Sequence, residues 1–419
     1  MNNMSMQHNN NTVQTKKMIL VISHVIPYPP SAGNEIRIMN MMKWLQDKGF
    51  GIVFLFNHET VSNERRKVLD LLFEKVHFIN DNYGDELSKH FVNKNFKKKV
   101  IREVKNLFKM LAPHLFSKIL ISSKIKQRFA SDRLIQLTKI LYTQYKPFAV
   151  LTEYIFTTPC FKVIPEGVLK IVDTHDMFSR KKKEVLKYGI NDTLYCKEKE
   201  ERYFLLQADI VIAIQSHEAC LFKKLVPERT VITVGIDFNV SNNINHSTIP
   251  GNVLVVGSDN KLNIHGFYEF YKQAWPKIKE ACPWAILSIV GKLSNNVNAK
   301  DQDIRLIGWT DNLDQEYNQA AVVINPTVAG TGLKIKSVEA ICRGKALVST
   351  PNGIEGINSM DEGYPYIVAN NWKSFANEVI NLIKSDDKRI IMQQRAMIYA
   401  KEHFVSEKVY EQLKYVLQF

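Results

Sequence analysis

The sequence predicts an α/β protein with two doubly wound, Rossmann-like domains and a cleft between them. Apolar runs of strand length, such as ILVISHV, recur along the chain without polar alternation, which is typical of parallel strands buried on both faces. Helical segments separate these runs, and strand–helix–strand units favour a parallel sheet. The pattern pauses once, at a polar stretch, and then restarts. With 419 residues, the chain is long enough for two or three domains.

The first domain is predicted to span residues 18–237. The strand ILVISHV is followed by the loop IPYPPSAGN, by a helix from Glu35 with apolar positions at helical spacing, and by the strand GIVFLF. Further strands are predicted at AVLTEY, LKIVDTHD, ADIVIAIQ and RTVITVG, with the helix SHEACLFKKL before the last of them. Alternating strands and helices of this kind indicate a parallel sheet with crossover helices.

Residues 238–252 are polar and Asn-rich, and they are predicted to be a linker to a second domain at 253–398. The second domain's strands are predicted at VLVVGS, AILSIVGK, IRLIGW, AVVINPT, ALVSTPNG and PYIVAN, and its helices include IHGFYEFYKQAWPKIKEAC and LDQEYNQA. We expect residues 399–419 to form a C-terminal helix that packs back on the first domain. Because ligands bind at the carboxyl ends of parallel strands, the functional site is expected in the cleft.

The composition is that of a globular protein, with 45% hydrophobic and 23% charged residues. Five cysteines are scattered without a C-x-x-C pair, which argues against a disulfide framework or a zinc site and suits a reducing compartment. No apolar run reaches the roughly 18 residues of a membrane span. Residues 1–17 are predicted to be a polar, disordered tail without the apolar core of a signal peptide. We therefore expect a cytoplasmic protein.

The formal net charge of +14 is concentrated in one segment. Residues 89–128 hold twelve Lys or Arg residues and one acid, Glu103, and their apolar residues recur at helical spacing, so this segment is predicted to be a basic helical insertion. Its charged face is either simply solvated, docked on anionic lipid headgroups, or bound to nucleic acid. No nucleic-acid-binding signature accompanies the charge, so a nucleic-acid partner is not expected, whereas an anionic membrane surface is a candidate partner.

The stretch GTGLKIKSVEA joins a predicted strand to a predicted helix and carries the features of an anion site. Gly330 and Gly332 permit close approach of the backbone to a ligand, and the N–H groups of a helix's first turn attract anions. Lys334 and Lys336 add positive charge, and Glu339 lies one turn further, where a carboxylate can accept hydrogen bonds from a nucleotide ribose. The simpler alternative is a surface Lys336–Glu339 pair beside ordinary loop glycines.

Four further positions are candidates because they lie at predicted strand ends or loop–helix junctions. His175, in VDTHD, is either a cleft residue that contacts the substrate or a histidine satisfied within the fold. Gly33 and Asn34 either form a tight turn and N-cap or contact the ligand, and His24 follows the first strand and could line an acceptor pocket. The neighbouring carboxylates Asp173 and Asp176 are expected to orient the loop or cap the next helix, and no metal cluster is implied.

Five ordered motifs resemble family 4-like glycosyltransferases, which have the two-domain GT-B architecture. The stretch GTGLKIKSVEAICRGKALVSTPNGIEGI resembles the family's donor-binding signature. The stretches PYPPSAGNEIRIMNMMKWL, VDTHDMFSRK, GSDNKLNIHGFYEFYKQAWPKIKEACPWAILSIVGK and IRLIGWTDNLDQEYNQAAVVINPT resemble family segments in the same order. Together the motifs cover roughly residues 18–400.

The resemblance implies a retaining, metal-independent hexosyltransferase-type enzyme that needs no cofactor besides its nucleotide-sugar donor. Glu339 would be the second glutamate of the family's E-x7-E motif and hold the ribose, whereas the first glutamate position falls on Thr331. The family's cationic pair falls on Ser258 and His265, so we expect Lys261, Lys334 or Lys336 to supply the charge that stabilises the departing diphosphate. The implied catalytic residues are His175, Glu339 and Lys334, and the implied donor-binding residues are Gly33, Asn34, Lys261, Asn263, Gly330, Thr331, Gly332, Leu333, Lys336 and Glu339.

The resemblance implies a function in cell-surface polysaccharide synthesis, with a glycan or lipid-linked acceptor that His24 is expected to contact. Glu355, in NGIEG, is either near the cleft or a turn residue. Two alternatives stay open: a different enzyme on the same architecture, such as a sugar-nucleotide epimerase or a phosphorylase, and a non-catalytic relative that binds a nucleotide. An epimerase would act on the donor without an acceptor, and slow hydrolysis of a nucleotide-sugar would exclude a non-catalytic protein.

Overall fold

A computed structural model describes residues 16–83, 129–190, 194–241, 248–298, 302–357 and 363–418. Residues 1–15 of the predicted tail and all of the predicted basic insertion at 89–128 lie outside the described residues, whereas Lys17, which was predicted to belong to the tail, begins the first strand. The structure confirms the predicted fold: two parallel sheets, each with helices on both faces.

The first domain contains a seven-stranded sheet in the order β3-β2-β1-β4-β5-β6-β7, and its paired strands are parallel. Its strands are β1 Lys17–Ser23, β2 Phe50–Phe56, β3 Lys75–Phe78, β4 Ala149–Glu153, β5 Leu169–Asp173, β6 Ile210–Ala213 and β7 Thr230–Thr233. Its helices are α1 Gly33–Asp47, α2 Asn63–Leu72, α3 Asp132–Tyr145, α4 Phe178–Leu186, α5 Glu198–Leu205 and α6 Ser216–Leu225, with a 3₁₀ segment at Ile155–Val163.

The second domain contains a six-stranded parallel sheet in the order β10-β9-β8-β11-β12-β13. Its strands are β8 Asn252–Val256, β9 Ile286–Val290, β10 Ile304–Gly308, β11 Val322–Asn325, β12 Leu347–Ser349 and β13 Ile367–Val368. The helices are α7 Lys261–Gln273, α8 Trp275–Ala281, α9 Leu313–Gln319, α10 Ile335–Cys342, α11 Trp372–Lys384 and α12 Asp386–His403, followed by α13 Ser406–Val409 and α14 Glu411–Leu417. Short 3₁₀ segments lie at Lys292–Asn296 and Asn352–Ile354.

The central strands are buried because helices cover both faces of each sheet. Every residue of β2 is buried, and alternate residues of β1 enter separate apolar clusters on opposite sides of the sheet. This arrangement explains why the strands are continuously apolar in sequence. It leaves the carboxyl ends of the strands as the places where polar side chains collect.

Two of the departures from the predicted elements have a simple physical cause. Strand β3 was not predicted, because four residues carry little periodic signal. The segment predicted as one helix from Ile264 is two helices, α7 and α8, that meet at Ala274. Pro276 explains the break, since proline lacks an N–H and its ring clashes with the carbonyl of residue i−4 in a helix interior.

The C-terminal segment returns to the first domain, but not as a single helix. Helix α12 ends at His403, and the short helices α13 and α14 follow it. Tyr410, Leu413 and Leu417 lie in an apolar cluster with the first sheet, and the Tyr410 ring stacks on Trp44 with centroids 4.6 Å apart. The hydroxyl groups of Ser406 and Tyr410 each donate to Asp237 at 2.6 Å. The chain end therefore ties the two domains together.

The predicted linker is only partly described, because residues 242–247 lie outside the described ranges. Phe238 and Val240 pack against an apolar cluster of the second domain, so this end of the segment is seated on the protein. None of the helices in the described ranges is long and apolar enough to cross a membrane.

Candidate active site in the interdomain cleft

A cavity of about 290 Å³ opens between the carboxyl ends of the two sheets. The first domain contributes residues 30–33, at the start of α1, and Ile36. The second domain contributes the loops after β8, β9 and β10 and the start of α10, including Lys336 and Glu339. The cavity thus lies next to β8 and β11, where the strand order of the second sheet reverses and where ligands of such sheets bind.

The glycine loop, residues 330–334, owes its course to two left-handed backbone positions. Gly330 has φ 120° and Gly332 has φ 78°, values that favour glycine. A Cβ on Gly332 would lie 2.7 Å from Asp176 Oδ1 and 2.9 Å from the carbonyl oxygen of His175. The glycine loop is therefore pressed directly against the first domain.

Polar contacts fix this loop across the domain boundary. Thr331 Oγ1 donates to Asp176 Oδ1 at 2.9 Å, and the Gly332 N–H donates to the buried carboxylate of Glu218 at 3.0 Å. Burial, reinforced by Asp176, raises the pKa of Glu218 to about 8. Glu218 was not a sequence candidate, because a glutamate within an ordinary amphipathic helix gives no signal of its partner.

Lys334 is bound to the loop itself. Its Nζ donates to the carbonyl oxygens of Gly330, Thr331 and Gly332 at 3.3, 3.2 and 2.9 Å, and it lies 3.7 Å from Glu355. Burial lowers its pKa, while the surrounding carboxylates oppose that shift. Lys334 therefore serves first as a clamp on the glycine loop.

Lys336 extends into the cavity. Its Nζ donates to Asn263 Oδ1 at 2.8 Å, and no carboxylate in the described part of the chain pairs with it. Burial and the charge of Lys334 lower its pKa to about 7. The surface pair with Glu339 that the spacing allowed is not formed.

Glu339 lines the cavity with only 6% of its surface exposed. It accepts hydrogen bonds from Tyr317 Oη and Arg343 Nη2, both at 3.2 Å. Burial raises its pKa to about 7. Glu339 and Lys336 stand on the same cavity wall within the first turns of α10, and the N-terminal residue of that helix provides no side-chain cap.

Of the remaining second-domain candidates, some line the cavity and others do not. Asn263 lines the cavity, where its Nδ2 donates to Ser258 Oγ at 3.0 Å, and Leu333 lines it as well. Lys261 is exposed at the start of α7 and does not line the cavity. The ring of His265 lies 5.5 Å from that of Tyr188 in the first domain. Of the lysines in the candidate set, Lys334 and Lys336 therefore line this cavity and Lys261 does not.

The first-domain wall is built on a close backbone contact and on a hydrogen bond that continues into a stack of two rings. A Cβ on Gly33 would lie 2.8 Å from Ile335 Cδ1, so glycine lets the starts of α1 and α10 meet. Asn34 Nδ2 donates to Tyr154 Oη at 3.0 Å, and the Tyr154 ring stacks on His175 with centroids 4.2 Å apart. Gly33 lines the cavity, whereas Asn34 acts through Tyr154.

His175 is part of a buried charge cluster. Its Nε2 lies 2.6 Å from Glu153 Oε2 and 3.4 Å from Asp173 Oδ2, and its own φ of 60° is left-handed. Arg37 forms an ion pair with Asp173 and donates to the carbonyl of Val234 at 2.8 Å. Burial, with the Asp173 charge beside it, raises the pKa of Glu153.

The geometry of this cluster also bears on metal binding. Glu153, Asp173 and His175 present ligand atoms that all lie within 4.8 Å of one another. The guanidinium of Arg37 already supplies positive charge to Asp173. The arrangement has the character of a salt-bridged support for the His175 loop rather than of an open metal site.

Of the two roles predicted for Asp176, orienting the loop or capping the next helix, the structure does not show the capping role. Met177 is the N-cap residue of α4 and no side chain caps that position, whereas Asp176 binds Thr331 and lies 3.6 Å from Lys181. Its backbone position directs the carboxylate at the glycine loop of the other domain, a contact that no local pattern encodes. Asp173 orients its loop, as expected, through Arg37.

His24 and Glu355 lie away from the cavity lining. The His24 ring lies 4.6 Å from the Tyr154 ring and 5.0 Å from the Phe129 ring, and its carbonyl oxygen lies 2.6 Å from His58 Nε2. Glu355 lies in the cleft beside Lys334.

Sequence reasoning also missed Trp309. It lines the cavity directly after β10 and is 56% exposed, so its ring is available to a planar ligand group. The signal was present in GWTD, an aromatic residue placed immediately after an apolar strand.

The fold and the cavity together define a class: a two-domain GT-B protein whose second domain presents a helix N-terminus, a lysine and a carboxylate to the cleft. Residues 250–385 match the family described as Glycosyl transferases group 1. An uncharacterised 44.6 kDa protein in the cps region of Klebsiella pneumoniae is 27% identical over 176 residues, which cover 39% of this chain and 45% of that relative.

Two solved structures show the same fold along nearly the whole chain. A mutant of S. aureus TarM, in complex with Fondaparinux, alpha-GlcNAc-glycerol and UDP, is 11% identical with a TM-score of 0.65, over 96% of this chain and 100% of that one. Anabaena Alr3699/HepE, in complex with UDP and glucose, is 13% identical with a TM-score of 0.60, over 96% of this chain and 99% of that one. The group 1 match over residues 250–385 agrees with the resemblance drawn from the sequence, and the two solved structures show that the chain has the GT-B fold.

Proposed function

We propose that the protein transfers a sugar from a nucleotide-sugar to a glycan or lipid-linked acceptor, without a metal ion and with retention of anomeric configuration. One observation carries the proposal. The uncapped N-terminus of α10, Lys336 and Glu339 face a cleft cavity bounded on its other side by the start of α1. The relative encoded in a cps region supports a role in cell-surface polysaccharide synthesis.

The donor's diphosphate is expected at the start of α10. The N–H groups of a helix's first turn and its dipole favour an anion there, and Lys336 contributes an ammonium group that is not paired with any carboxylate of the described residues. Stabilising charge that develops on the departing group is usually the largest electrostatic contribution to such a transfer. In this proposal Lys336 is the one of the three candidate lysines, Lys261, Lys334 and Lys336, that stabilises the departing diphosphate.

The nucleoside is expected along the same wall. The Glu339 carboxylate, held by Tyr317 and Arg343, would accept hydrogen bonds from ribose hydroxyl groups. The exposed ring of Trp309 would pack against the base. Because TarM and HepE are described in complex with UDP, uridine diphosphate is the first nucleotide to test.

The transferred sugar is expected beside the glycine loop and the His175 loop. The family's first glutamate falls on Thr331, whose hydroxyl binds the carboxylate of Asp176 at 2.9 Å. We propose that Asp176, delivered from the other domain, supplies the carboxylate that this position lacks. Asp176→Asn should then impair sugar selection while UDP binding is retained.

Calorimetry with UDP tests the nucleotide assignment. Glu339→Gln keeps the size of the side chain but removes its charge, so we expect UDP affinity to fall by about tenfold or more, since hydrogen bonds to charged groups contribute roughly 1.5–3 kcal/mol. Glu280→Gln, on the exposed side of α8, is the matched control and should bind like the wild type. If Glu339→Gln binds UDP as tightly as the wild type does, Glu339 does not hold the ribose.

Product analysis tests the reaction. Incubation of the wild type with UDP-sugars should release UDP slowly, as donor hydrolysis, and faster with the acceptor. NMR spectroscopy of the anomeric proton then reports retention or inversion. Isomerisation of the donor without UDP release would instead indicate an epimerase.

The basic segment at 89–128 is proposed to hold the enzyme at an anionic membrane surface. Each Lys or Arg near such a surface contributes on the order of 1 kcal/mol. Replacement of Lys97, Lys98 and Lys99 by Gln should weaken binding to phosphatidylserine vesicles. Equal binding of the variant and the wild type would contradict the proposal.

A further inference from the structure

A second cavity, of about 580 Å³, lies between the two domains on the other side of the glycine loop. Arg180, Glu184 and Tyr188, at α4 and its C-terminal end, form its first-domain wall. The segments 350–352 and 369–372, after β12 and β13, form its second-domain wall. We call it the edge cavity, because it lies at the β12–β13 edge of the second sheet.

The glycine loop separates the edge cavity from the 290 Å³ cavity described above, which we call the nucleotide cavity. Asn352, on the edge-cavity side, donates from Nδ2 to the carbonyl oxygen of Gly330 at 2.9 Å, and Lys334 lines the nucleotide cavity. The residues proposed to bind the nucleotide therefore do not line the edge cavity, and the function of that cavity is a separate question.

Two residues that line the edge cavity each carry a polar atom that is shielded from solvent and has no hydrogen-bond partner among the described residues. These atoms are Arg180 Nη1, from the first domain, and Asn352 Oδ1, from the second. Buried polar atoms are usually hydrogen-bonded, so an unpartnered donor and acceptor on residues that line one cavity point to a ligand that offers both functions. A sugar with its hydroxyl groups does so.

The charges indicate which kind of sugar. Glu184 is paired with Lys187 at 3.5 Å, and Glu355 with Lys334 at 3.7 Å, so both carboxylates of the cavity lining already have a cation. Arg180 forms no ion pair with any carboxylate in the described ranges. Its guanidinium is the uncompensated charge of the lining, and its fork geometry suits a carboxylate or a phosphate.

Aromatic side chains complete the lining. Tyr188 is 40% exposed at one wall, and Trp372 is half-buried at the other. Rings of this kind offer apolar area with a polar rim, against which the face of a sugar ring can pack.

We propose that the edge cavity binds an acidic saccharide unit of the acceptor, a sugar that carries a carboxylate or a phosphate, with its anion on Arg180. This proposal rests on the proposed glycosyltransferase function, because the bound saccharide is an acceptor only if the protein transfers a sugar to it. The binding itself does not depend on catalysis and can be measured separately.

The test uses the full-length protein and titration calorimetry with three probes: hyaluronan tetrasaccharide, mannose 6-phosphate and neutral chitotetraose. The wild type is expected to bind an acidic probe more tightly than chitotetraose, and Arg180→Gln to lose about tenfold or more of that affinity. Lys183→Gln removes the same charge from the exposed side of α4 and should bind as the wild type does. Tyr188→Ala, at an exposed position, should weaken binding without changing the thermal unfolding midpoint.

The outcomes are distinct. Tighter binding of the hyaluronan probe identifies a uronate, and tighter binding of mannose 6-phosphate identifies a phosphate. If neither acidic probe binds more tightly than the neutral one, the proposal is overturned, as it is if Arg180→Gln and Lys183→Gln have equal effects. UDP titrations of the same samples distinguish failure of one proposal from failure of the other. If the wild type does not bind UDP, the proposed nucleotide site and the acceptor role are wrong. A saccharide site that depends on Arg180 would be unaffected by that result.

Discussion

Lys334 and Lys336 stand two residues apart at the start of α10, yet their surroundings differ. Lys334 binds three carbonyl oxygens of the glycine loop and lies among Asp176, Glu218 and Glu355. Lys336 has one amide oxygen as its partner and faces the cavity. Two residues with the same chemistry therefore serve different purposes: one closes the loop on the first domain, and the other remains available to an anion.

The largest expected effect separates the two lysines. Lys336→Met should weaken UDP binding by about 10- to 100-fold, because it removes a charged donor from the diphosphate position. Lys334→Met should change UDP affinity by only about threefold and instead lower the thermal unfolding midpoint, since the loop carbonyls lose their donor. Calorimetry and thermal unfolding of both variants measure this, and the opposite order would reverse the two assignments.

The second prediction concerns pH. The Lys336 pKa of about 7 means that its charge is lost as pH rises above 7, so affinity for UDP-glucose should fall by up to about tenfold per pH unit there. The Glu339 pKa of about 7 means that its carboxylate is protonated as pH falls below 7, and ribose binding weakens in that direction. Affinity should therefore peak near neutral pH.

Two variants show which residue causes the loss of UDP-glucose affinity at alkaline pH and which causes the loss at acid pH. Lys336→Arg keeps its charge at high pH and should flatten the alkaline limb. Glu339→Gln should flatten the acid limb. A profile of the wild type that is flat from acid to alkaline pH would show that neither group titrates in the free cavity.

A smaller effect is expected at the base end of the cavity. Trp309→Ala should weaken UDP binding by roughly three- to tenfold, as expected for loss of one aromatic contact of about 0.5–1.5 kcal/mol. Trp284→Ala is the matched control, because Trp284 is 54% exposed, compared with 56% for Trp309, and does not line the cavity. Equal affinities of the two variants would place the base elsewhere.

The smallest effect concerns the acids around Lys334. The pKa of Glu218 is raised to about 8 from an ordinary value of 4.5, so between those values the folded protein holds a proton that the unfolded chain has released. The free energy of unfolding should therefore fall as pH rises through this window. Glu218→Gln removes this loss and should raise the unfolding midpoint near pH 8 by about 2–4 °C per kcal/mol recovered, with little change near pH 5. Equal shifts at both pH values would contradict the assigned protonation.

Most of the fold followed from local patterns. Continuous apolar strands, amphipathic helices and the polar break near residue 240 predict two parallel sheets, because burial on both faces imposes that composition. Strand β3 and the break at Ala274 were missed, since one is too short for periodicity and the other depends on a single proline.

The residues of the candidate site were likewise predictable from the sequence only in part. Gly330, Gly332, Lys336 and Glu339 could be singled out because they lie together in sequence at one strand end. The contacts of Asp176 and Glu218 with the glycine loop could not, because 155 and 114 residues separate the partners. The catalytic role of His175 and the acceptor role of His24 stay predictions.

The sequence by itself determined the α/β architecture, and it singled out the start of α10, with Glu339, as the candidate anion site. Only the tertiary structure decided that the glycine loop binds Lys334 and leaves Lys336 to the cavity, which first-domain acids meet the glycine loop and where Trp309 and Arg180 stand. The physical reason is that periodicity and strand-end position are local properties, whereas the protonation and partners of a buried charge depend on groups that only folding brings near it.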